Sequence, residues 1–441
     1  ITIEIHKKNW ESANKYFNSV LLSNVIVAGA MLIPSILVVV YLEKLVEIPA
    51  DILIDVKVLF VFLFTNYLVS IIVSSFGVST FATNKLHLKS MREIEATILK
   101  AVLLITLFVM FEPAVYYLGF TTVIVMLYIS FFNIYYTKKF LPKIKIRKTY
   151  FEIKAVLELI SSGIWNTISK LSGILSTGLD LLIANAFIGA TAMGSLALAK
   201  TLPTVILSFF GVLGSVFAPQ LTFYYAQNEM SNMKSELIKS IKLMGIFASI
   251  PVVFLFVYGD IFYQLWMPAQ SPVLLQRLSI LSCAAFIFSL PLEGLWNIFT
   301  IVNKVKTVSI FLLLNSLLSV FITFGLMFLT DDVVVRLYII AGISTIFSIV
   351  RAVTFVPLYG AYCLKLKWHS FYPSIISNFI LVVAMTMVSL AIRKVIIIES
   401  WFALCLVGFL MAAISFAFSY FVILNKNEKE ALKNIIIFNK R

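Results

Sequence analysis

The sequence is poor in charged residues, histidines and cysteines, and each shortage excludes a class of protein. Only 13% of its 441 residues are charged and 61% are hydrophobic, whereas a soluble domain is nearer half apolar and a quarter charged. The three histidines, His6, His87 and His369, lie far apart and do not form a metal-ligand pattern. The three cysteines are scattered and odd in number, so the sequence implies no disulfide framework.

The sequence also lacks the elements that ATPases and membrane-anchored enzymes need. It contains no Gly-x-x-x-x-Gly-Lys-Ser/Thr loop for nucleotide phosphates. No loop between apolar stretches is longer than roughly 20 residues, which leaves no room for an extramembrane catalytic domain. No signal peptide is visible. We therefore predict a protein that is not an enzyme and uses no cofactor.

Long apolar stretches are present instead, and the charged segments between them alternate in sign. A helix of about 20 apolar residues crosses the ~30 Å hydrocarbon core. The interruptions are basic at Lys7, acidic at Glu43, basic at Arg92, acidic at Glu112 and most basic at 138–148. Cytoplasmic loops of membrane proteins carry an excess of Lys and Arg. The pattern predicts a multi-pass protein with its basic segments and both termini in the cytoplasm.

The net charge of +14 is explained by this orientation. In a soluble protein such a charge would favour nucleic-acid binding. Here the positive charge lies in short loops between apolar stretches, where anionic lipid headgroups are the default partner. We expect the lipid bilayer, and no nucleic acid, as a partner.

The apolar stretches predict twelve transmembrane helices. They lie near 19–42, 57–83, 94–111, 113–136, 159–187, 192–218, 240–258, 273–302, 307–329, 335–362, 370–392 and 400–424. The turn at 393–399 fits the charge rule poorly, because Arg393 and Lys394 fall on the outer side.

Similar loops recur along the chain at a spacing of about 220 residues. Thr2 and Thr222 open comparable polar stretches, and Asn84 and Asn303 close comparable helix pairs. One period holds an even number of helices, so two copies would have the same orientation. The helix pair before Thr222 has no counterpart before Thr2, and we expect the first copy to lack its first two helices. Chance spacing of short loops is the alternative.

Two segments and the basic connection carry a resemblance to a known family. Phe-Ile-Gly-Ala-Thr-Ala-Met-Gly-Ser-Leu-Ala-Leu-Ala at 187–199 lies between two helices, and Ala-Pro-Gln-Leu at 218–221 precedes a polar amphipathic stretch. With the connection at 137–154, they make the chain resemble polysaccharide repeat-unit flippases. These Wzx-type O-antigen and capsule translocases belong to the multidrug/oligosaccharidyl-lipid/polysaccharide exporter superfamily. The resemblance covers essentially the whole chain.

The resemblance implies an all-α, MATE-like fold of two pseudo-symmetric lobes, in which this chain matches helices three to fourteen of fourteen. Applied to the sequence, it gives these predicted parts: a four-helix N-terminal lobe at 1–136, a basic cytoplasmic connection at 137–153, a six-helix lobe at 154–362, two additional helices at 363–424 and a basic cytoplasmic tail at 425–441.

The function that the resemblance implies is translocation of polyprenyl-pyrophosphate-linked oligosaccharide repeat units across a bacterial cytoplasmic membrane. The product would be O-antigen (lipopolysaccharide) or capsule, and alternating access would be the mechanism. Polysaccharide polymerase and chain-length machinery are the implied protein partners. Two alternatives stay open. A cation-coupled drug or metabolite antiporter of the same superfamily would want a net acidic cavity, and a membrane polymerase or ligase would need a large extracytoplasmic loop.

Polar and small residues form a stripe along the predicted helix 159–187. Asn166, Lys170, Thr177 and Asp180 belong to it and recur at helical spacing, so they share one face. A lysine facing lipid would cost several kcal/mol, which predicts that the stripe lines a hydrated cavity. We predict Lys170 as a substrate-binding cation and Asp180 as a coupling or ion-pair group. For the small and hydroxyl residues, tight helix packing is the alternative.

Other ionisable residues lie inside predicted helices. Lys200 is a second candidate cation, with snorkelling to the interface as the alternative. Arg351 lies in the middle of helix 335–362, and its planar guanidinium suits bidentate binding of pyrophosphate. Glu293 is a coupling candidate or an ion-pair partner of Arg351. Asn66, in a milder stripe of the first lobe, is a cavity-lining candidate, with helix packing as the alternative. We predict no catalytic or metal-binding residue.

Overall fold

A computed structural model describes residues 4–5, 8–83, 85–423 and 429. Within these ranges every regular element is a helix and no strand occurs. We number the long helices α1 to α12. They are α1 (Trp10–Val40), α2 (Ala50–Ala82), α3 (Leu86–Met110), α4 (Tyr117–Phe140), α5 (Ile153–Gly173, continuing through Ile174–Gly178 to Leu179–Phe187), α6 (Ala190–Ser215), α7 (Met230–Trp266), α8 (Pro272–Ile301), α9 (Val305–Met327), α10 (Val333–Cys363), α11 (Tyr372–Arg393) and α12 (Trp401–Phe418). Short helices lie at Leu42–Leu45, Lys148–Tyr150 and Ala218–Ala226.

Among the described residues, 11 helices are long and apolar enough to cross a membrane, against the twelve predicted. The difference is α3, because even its last 18 residues, 93–110, contain Glu93, Glu95 and Lys100. Backbone groups have no water to bind inside a bilayer, so an uninterrupted helix satisfies them internally. The chain is an all-α multi-pass membrane protein, as the sequence predicts.

Arg92 and Glu95 of α3 are compensated by each other and by α4. The Arg92 guanidinium contacts the Glu95 carboxylate at 2.5 Å and donates to Tyr136 Oη at 3.2 Å. It also lies over the Phe132 ring, 4.4 Å from the centroid. Such pairing lowers the cost of holding charges at membrane depth.

The chain divides into two compact units, Ile1–Ile164 and Trp165–Arg441, and the division falls within α5. Helices α1 to α4 belong to unit 1 and α6 to α12 to unit 2. The predicted tail at 425–441, apart from Lys429, lies outside the described residues, as do Thr2, Lys7 and Asn84. The internal repeat and the boundaries of the predicted lobes stay predictions.

In unit 2, α7 is the most deeply buried of the long helices. In its most apolar stretch 67% of the residues are buried, a larger share than in any other membrane-spanning helix of this unit. Polar pairs fix its neighbours. Ser249 Oγ lies 2.8 Å from Ser415 Oγ on α12, and Asn378 Nδ2 on α11 donates to the Ile241 carbonyl at 2.9 Å. Hydrogen bonds and close packing hold helices together in lipid, where apolar surface alone gives little preference for a neighbouring helix.

Arg393, which fits the charge rule poorly, has a partner. Its guanidinium binds the Asp260 carboxylate in a bidentate manner, with Nη1 to Oδ1 at 3.0 Å and Nη2 to Oδ2 at 2.5 Å. It also donates to the Val257 carbonyl. The pair joins the end of α11 to α7. The role of this arginine is therefore to hold the two helices together at that end.

The segment at 187–199 contains the tight turn between α5 and α6, at Ile188 and Gly189, and the first ten residues of α6. Gly189 has φ 127°, a conformation that side chains with a Cβ rarely adopt. Arg336 Nη1 donates to the Phe187 carbonyl at 3.1 Å and so caps the end of α5. This turn sends α6 back along α5, which brings Lys200 beside Asp180.

Candidate functional site

Unit 2 contains a cavity of about 810 Å³ between α5, α6, α8, α9 and α10. Its wall is mostly small, hydroxyl and apolar residues. Within the described residues, four charged side chains reach it: Asp180, Lys200, Glu293 and Arg351. Two are positive and two negative, so the formal charges of the cavity wall cancel.

Three of the five helices change geometry beside the cavity, and one of them is α8, with a 3-10 turn at Leu290–Leu292. Residues Ile174–Gly178 of α5 and Arg351–Phe355 of α10 form π-helical turns. A π turn contains an extra residue, so the helix faces before and after it are rotated relative to each other. Such turns are frequent at functional sites because they re-aim side chains.

Asp180 of α5 is the anchor of one charged pair. Its carboxylate accepts a hydrogen bond from the Lys200 ammonium, and the pair lies 20 residues apart across the Gly189 turn. Ser344 Oγ on α10 donates to Oδ1 at 3.0 Å and to Oδ2 at 3.2 Å. Asp180 is 4% exposed, so loss of its partners would leave a buried charge.

Glu293 and Arg351 line the same cavity without direct contact. They attract each other electrostatically, yet in the described part of the chain neither side chain has a hydrogen bond or salt bridge. The backbone of α6 approaches Glu293 closely: a Cβ at Gly214 would lie 2.9 Å from Glu293 Cβ. Asn297 Nδ2 donates to the Gly214 carbonyl at 2.9 Å and secures this contact. Arg351 is therefore a cation whose donors are available to a ligand.

Most hydroxyl groups on the wall are already used in packing. Ser169 and Ser176 of α5 pair with Ser309 and Ser316 of α9, at 2.8 and 2.7 Å between oxygens. The Thr201 and Thr204 hydroxyls of α6 donate to carbonyls of their own helix. Ser282 Oγ is buried in the wall and has no partner among the described residues. The serine pairs act as small-residue helix contacts of the kind expected in membranes.

The structure separates the residues that the sequence placed on one stripe of α5. Thr177 and Asp180 line the cavity, whereas Asn166 and Lys170 are exposed and are not part of its wall. The π turn at Ile174–Gly178, which contains Thr177, rotates the part of the stripe after it against the part before it. The roles predicted for Lys170 and Asn166 stay predictions without support from this cavity.

Asn66, predicted to line a cavity of the first lobe, lies in unit 1 between α2 and α4. Its Nδ2 donates to the Thr122 carbonyl at 3.3 Å and its Oδ1 accepts from Ser70 Oγ at 3.1 Å. Both ends of the amide are therefore engaged in helix contacts, and this geometry favours the packing alternative.

Sequence reasoning missed Ser344, Ser282 and Trp296 as parts of the cavity wall. Ser344 precedes Arg351 by two helical turns on α10, so helical spacing alone would have placed both on one face. Trp296 likewise follows Glu293 by three residues, about one turn of α8. Among the described residues, no three His, Cys, Asp or Glu side chains group together as metal ligands do. The chemistry that the site offers is binding of anions and exchange of ion pairs.

Comparisons with known proteins agree with this architecture. The family described as "Polysaccharide biosynthesis protein" matches residues 1–225. The chain is 24% identical over 430 residues to the uncharacterized membrane protein EpsK of Bacillus subtilis (strain 168), covering 97% of this chain and 84% of that protein. Its fold is similar to that of the lipid II flippase MurJ in an inward closed conformation, with a TM-score of 0.66, 15% identity, and coverage of 93% of this chain and 84% of that one.

The structural likeness confirms the fold class that the sequence predicts. The family match, which spans half of the chain, confirms the family that the resemblance indicates. The chain belongs to the polysaccharide biosynthesis protein family.

Proposed function

We propose that the protein is a flippase for polyprenyl-pyrophosphate-linked oligosaccharide repeat units, which it moves to the outer leaflet for O-antigen or capsule synthesis. Membership of a polysaccharide biosynthesis family supports the substrate class. The fold is compatible with translocation of a lipid-linked substrate, but fold alone does not assign function. The observation that carries the proposal is Arg351, a guanidinium without a direct partner on the wall of a membrane-embedded cavity.

Arg351 is suited to hold the pyrophosphate. Its fork of N–H donors matches two phosphate oxygens at once, and charge-assisted hydrogen bonds of this kind are about twice as strong as neutral ones. An uncompensated cation inside a membrane is costly and therefore tends to mark a substrate or ion pathway. A bound diphosphate would compensate Arg351, whose favourable electrostatic interaction within the protein is with Glu293.

Lys200 is the second proposed phosphate ligand, but it is committed to Asp180 in this state. For Lys200 to bind substrate, its ammonium must leave Asp180. The structure thus supports an order in which Arg351 contacts the headgroup first and Lys200 exchanges partners afterwards. Asp180 and Glu293 are then the groups proposed to take a coupling cation or a proton.

The cavity volume of about 810 Å³ falls within the range of small-molecule sites and leaves the polyprenyl tail in the lipid. Rocking of helix bundles around such a site would expose it alternately to the two sides. We place the protein in a bacterial cytoplasmic membrane, with the ends marked by Lys304 and Lys365 in the cytoplasm and those marked by Asp260 and Asp331 outside. The polymerase and chain-length machinery would then receive the flipped unit.

The test is complementation of a cell whose own flippase has been deleted. Arg351→Ala is expected to reduce surface polysaccharide strongly, since losing a charge-assisted contact of about 1.5–3 kcal/mol weakens binding at least tenfold. Arg351→Lys should restore only part of the polymer, because an ammonium cannot form the bidentate contact. Arg277→Ala is the matched control, since Arg277 is exposed and lies outside the cavity wall on α8.

Lys170→Ala belongs in the same series, because Lys170 was predicted as a substrate cation and lies off this cavity. The effect of this substitution reports whether headgroup binding extends beyond the residues of the cavity wall. Wild-type polymer from Arg351→Ala at wild-type expression would contradict the flippase proposal for this site. Efflux of a cationic dye that depends on Asp180 and Glu293 would instead favour the drug or metabolite antiporter.

A further inference from the structure

The basic connection between α4 and α5 is fixed to α1 by two asparagine side chains. Asn14 Oδ1 accepts from the Lys145 N–H at 2.7 Å, and its Nδ2 donates to the Lys143 carbonyl at 3.1 Å. Asn18 Oδ1 accepts from the Arg147 N–H at 2.9 Å, and its Nδ2 donates to the Lys145 carbonyl at 2.8 Å. The two amides, one helical turn apart, bind the segment as a neighbouring strand would.

Further contacts make this arrangement rigid. Ser19 Oγ accepts from the Glu152 N–H at 2.9 Å, where the connection enters α5. Asn14 and Asn18 are 4% and 5% exposed, and Ser19 is fully buried. Because buried amides are costly to leave without partners, the chain is held to this path. The connection is thus an ordered part of unit 1, and we call residues 143–148 the clamped strip.

Three of the four cations of the clamped strip are left uncompensated; the fourth, Lys143, lies over the Trp10 ring. Lys145, Arg147 and Lys148 are exposed, and their side chains have no partner within the described residues. The nearby carboxylates are already occupied: Glu152 contacts Lys15 at 3.7 Å, and Glu158 accepts from Tyr16 Oη at 2.5 Å. An anionic partner would therefore meet fixed positive charges without competition from neighbouring acids.

The strip is also partly apolar and lies at a membrane surface. It follows the end of α4 at Phe140 and precedes α5, so it lies close to the headgroup region. Ile144 packs against the small core around Leu141, whereas Ile146 is 61% exposed between Lys145 and Arg147. An exposed apolar side chain between cations suits the boundary of headgroups and acyl chains.

From this geometry we infer that the clamped strip is a docking surface for anionic phospholipid headgroups, with Asn14 and Asn18 as its positioning residues. A flexible polybasic linker would lose conformational entropy on binding lipid. The clamped strip is already ordered when the protein folds. Its cations can therefore attract anionic headgroups without that loss of entropy. The inference rests on the membrane location and on unit 1 alone, and it is independent of the proposed transport function.

The test measures lipid binding to the full chain in uncharged detergent by native mass spectrometry. Phosphatidylglycerol and phosphatidylcholine are titrated separately at low and at high salt. We expect preferential binding of phosphatidylglycerol that weakens with salt. Lys145→Gln/Arg147→Gln should weaken it roughly tenfold or more, with phosphatidylcholine unaffected. Lys365→Gln/Lys367→Gln removes the same charge from an exposed loop of unit 2 and should leave most of the preference.

Asn18→Leu tests the positioning role, because it breaks the clamp without changing any charge. Phosphatidylglycerol binding should fall severalfold and lose part of its salt dependence, which a purely structural role would not alter. Thermal unfolding of each variant identifies any loss of fold. The Lys145→Gln/Arg147→Gln variant leaves the asparagine contacts in place, so it tests lipid binding separately from the positioning role.

Three outcomes would overturn the inference. The first is equal affinity of the wild type for the two lipids, and the second is an unchanged preference in the Lys145→Gln/Arg147→Gln variant. The third is complete displacement of phosphatidylglycerol by stoichiometric inorganic pyrophosphate, which would show a site for free phosphate groups rather than for a lipid surface.

Discussion

Lys200 donates to the Asp180 carboxylate across the turn between α5 and α6, and Ser344 donates to the same carboxylate from α10 at 3.0 Å. This contact links three of the five helices that surround the cavity. Arg351, two turns further along α10, has no such direct partner in the described part of the chain. The cavity therefore combines one committed ion pair with one available cation, and this asymmetry gives the predictions below.

The contributions of Lys200 and Asp180 to the free energy of unfolding are predicted to be coupled. Lys200→Met leaves Asp180 buried and unpaired, which should lower the free energy of unfolding by roughly 3–5 kcal/mol. Asp180→Asn should cost less, because Lys200 can move its ammonium toward water. The double variant should be more stable than Lys200→Met alone. Thermal unfolding in detergent, analysed as a double-mutant cycle, measures the coupling, and strictly additive losses would contradict it.

Ser344 is predicted to orient Asp180. Ser344→Ala removes a hydrogen bond to a charged group and should lower the free energy of unfolding by about 1.5–3 kcal/mol. Ser348→Ala is the control, since Ser348 lines the same cavity one turn later and its hydroxyl has no hydrogen bond among the described residues. Equal melting temperatures for the two variants would mean that the serine contact contributes nothing measurable.

Because α6 approaches Glu293 closely at Gly214, we predict that adding a single methyl group at this glycine destabilises the protein. The Cβ of Gly214→Ala would lie 2.9 Å from Glu293 Cβ and 3.0 Å from its carbonyl carbon, so the helices must separate. We expect a loss of about 1–3 kcal/mol from overpacking. Gly211→Ala meets nothing within 4 Å and gains helix propensity, so it should be neutral or slightly stabilising. Wild-type stability of Gly214→Ala in the same unfolding assay would argue against this packing.

The proposed orientation can be tested by labelling single cysteines in intact cells. In a background without the native cysteines, Lys145→Cys should react only with a membrane-permeant maleimide. Asp331→Cys should also react with an impermeant one, because its side chain is fully exposed at the acidic end of α10. Labelling of Lys145→Cys by the impermeant reagent would reverse the assignment of sides.

Several features of this protein follow from its sequence because they depend on composition along the chain. Apolar length and charge alternation determine that it crosses a membrane many times, and the segment at 187–199 indicates its family. The same reasoning identified Asp180, Lys200, Glu293 and Arg351 as unusual, because an ionisable side chain at membrane depth is costly wherever it lies.

Tertiary structure decided which of these groups meet. Helical periodicity placed Lys170 and Asp180 on one face, but the π turn at Ile174–Gly178 rotates that face and leaves only Asp180 at the cavity. Lys200 pairs with Asp180 and Arg393 with Asp260 because helix packing brings them together. Asn14 and Asn18 gave no signal in sequence, since their partners are backbone groups more than 120 residues away. A pattern along one helix reports its own faces, whereas the partner of each face depends on how the helices pack.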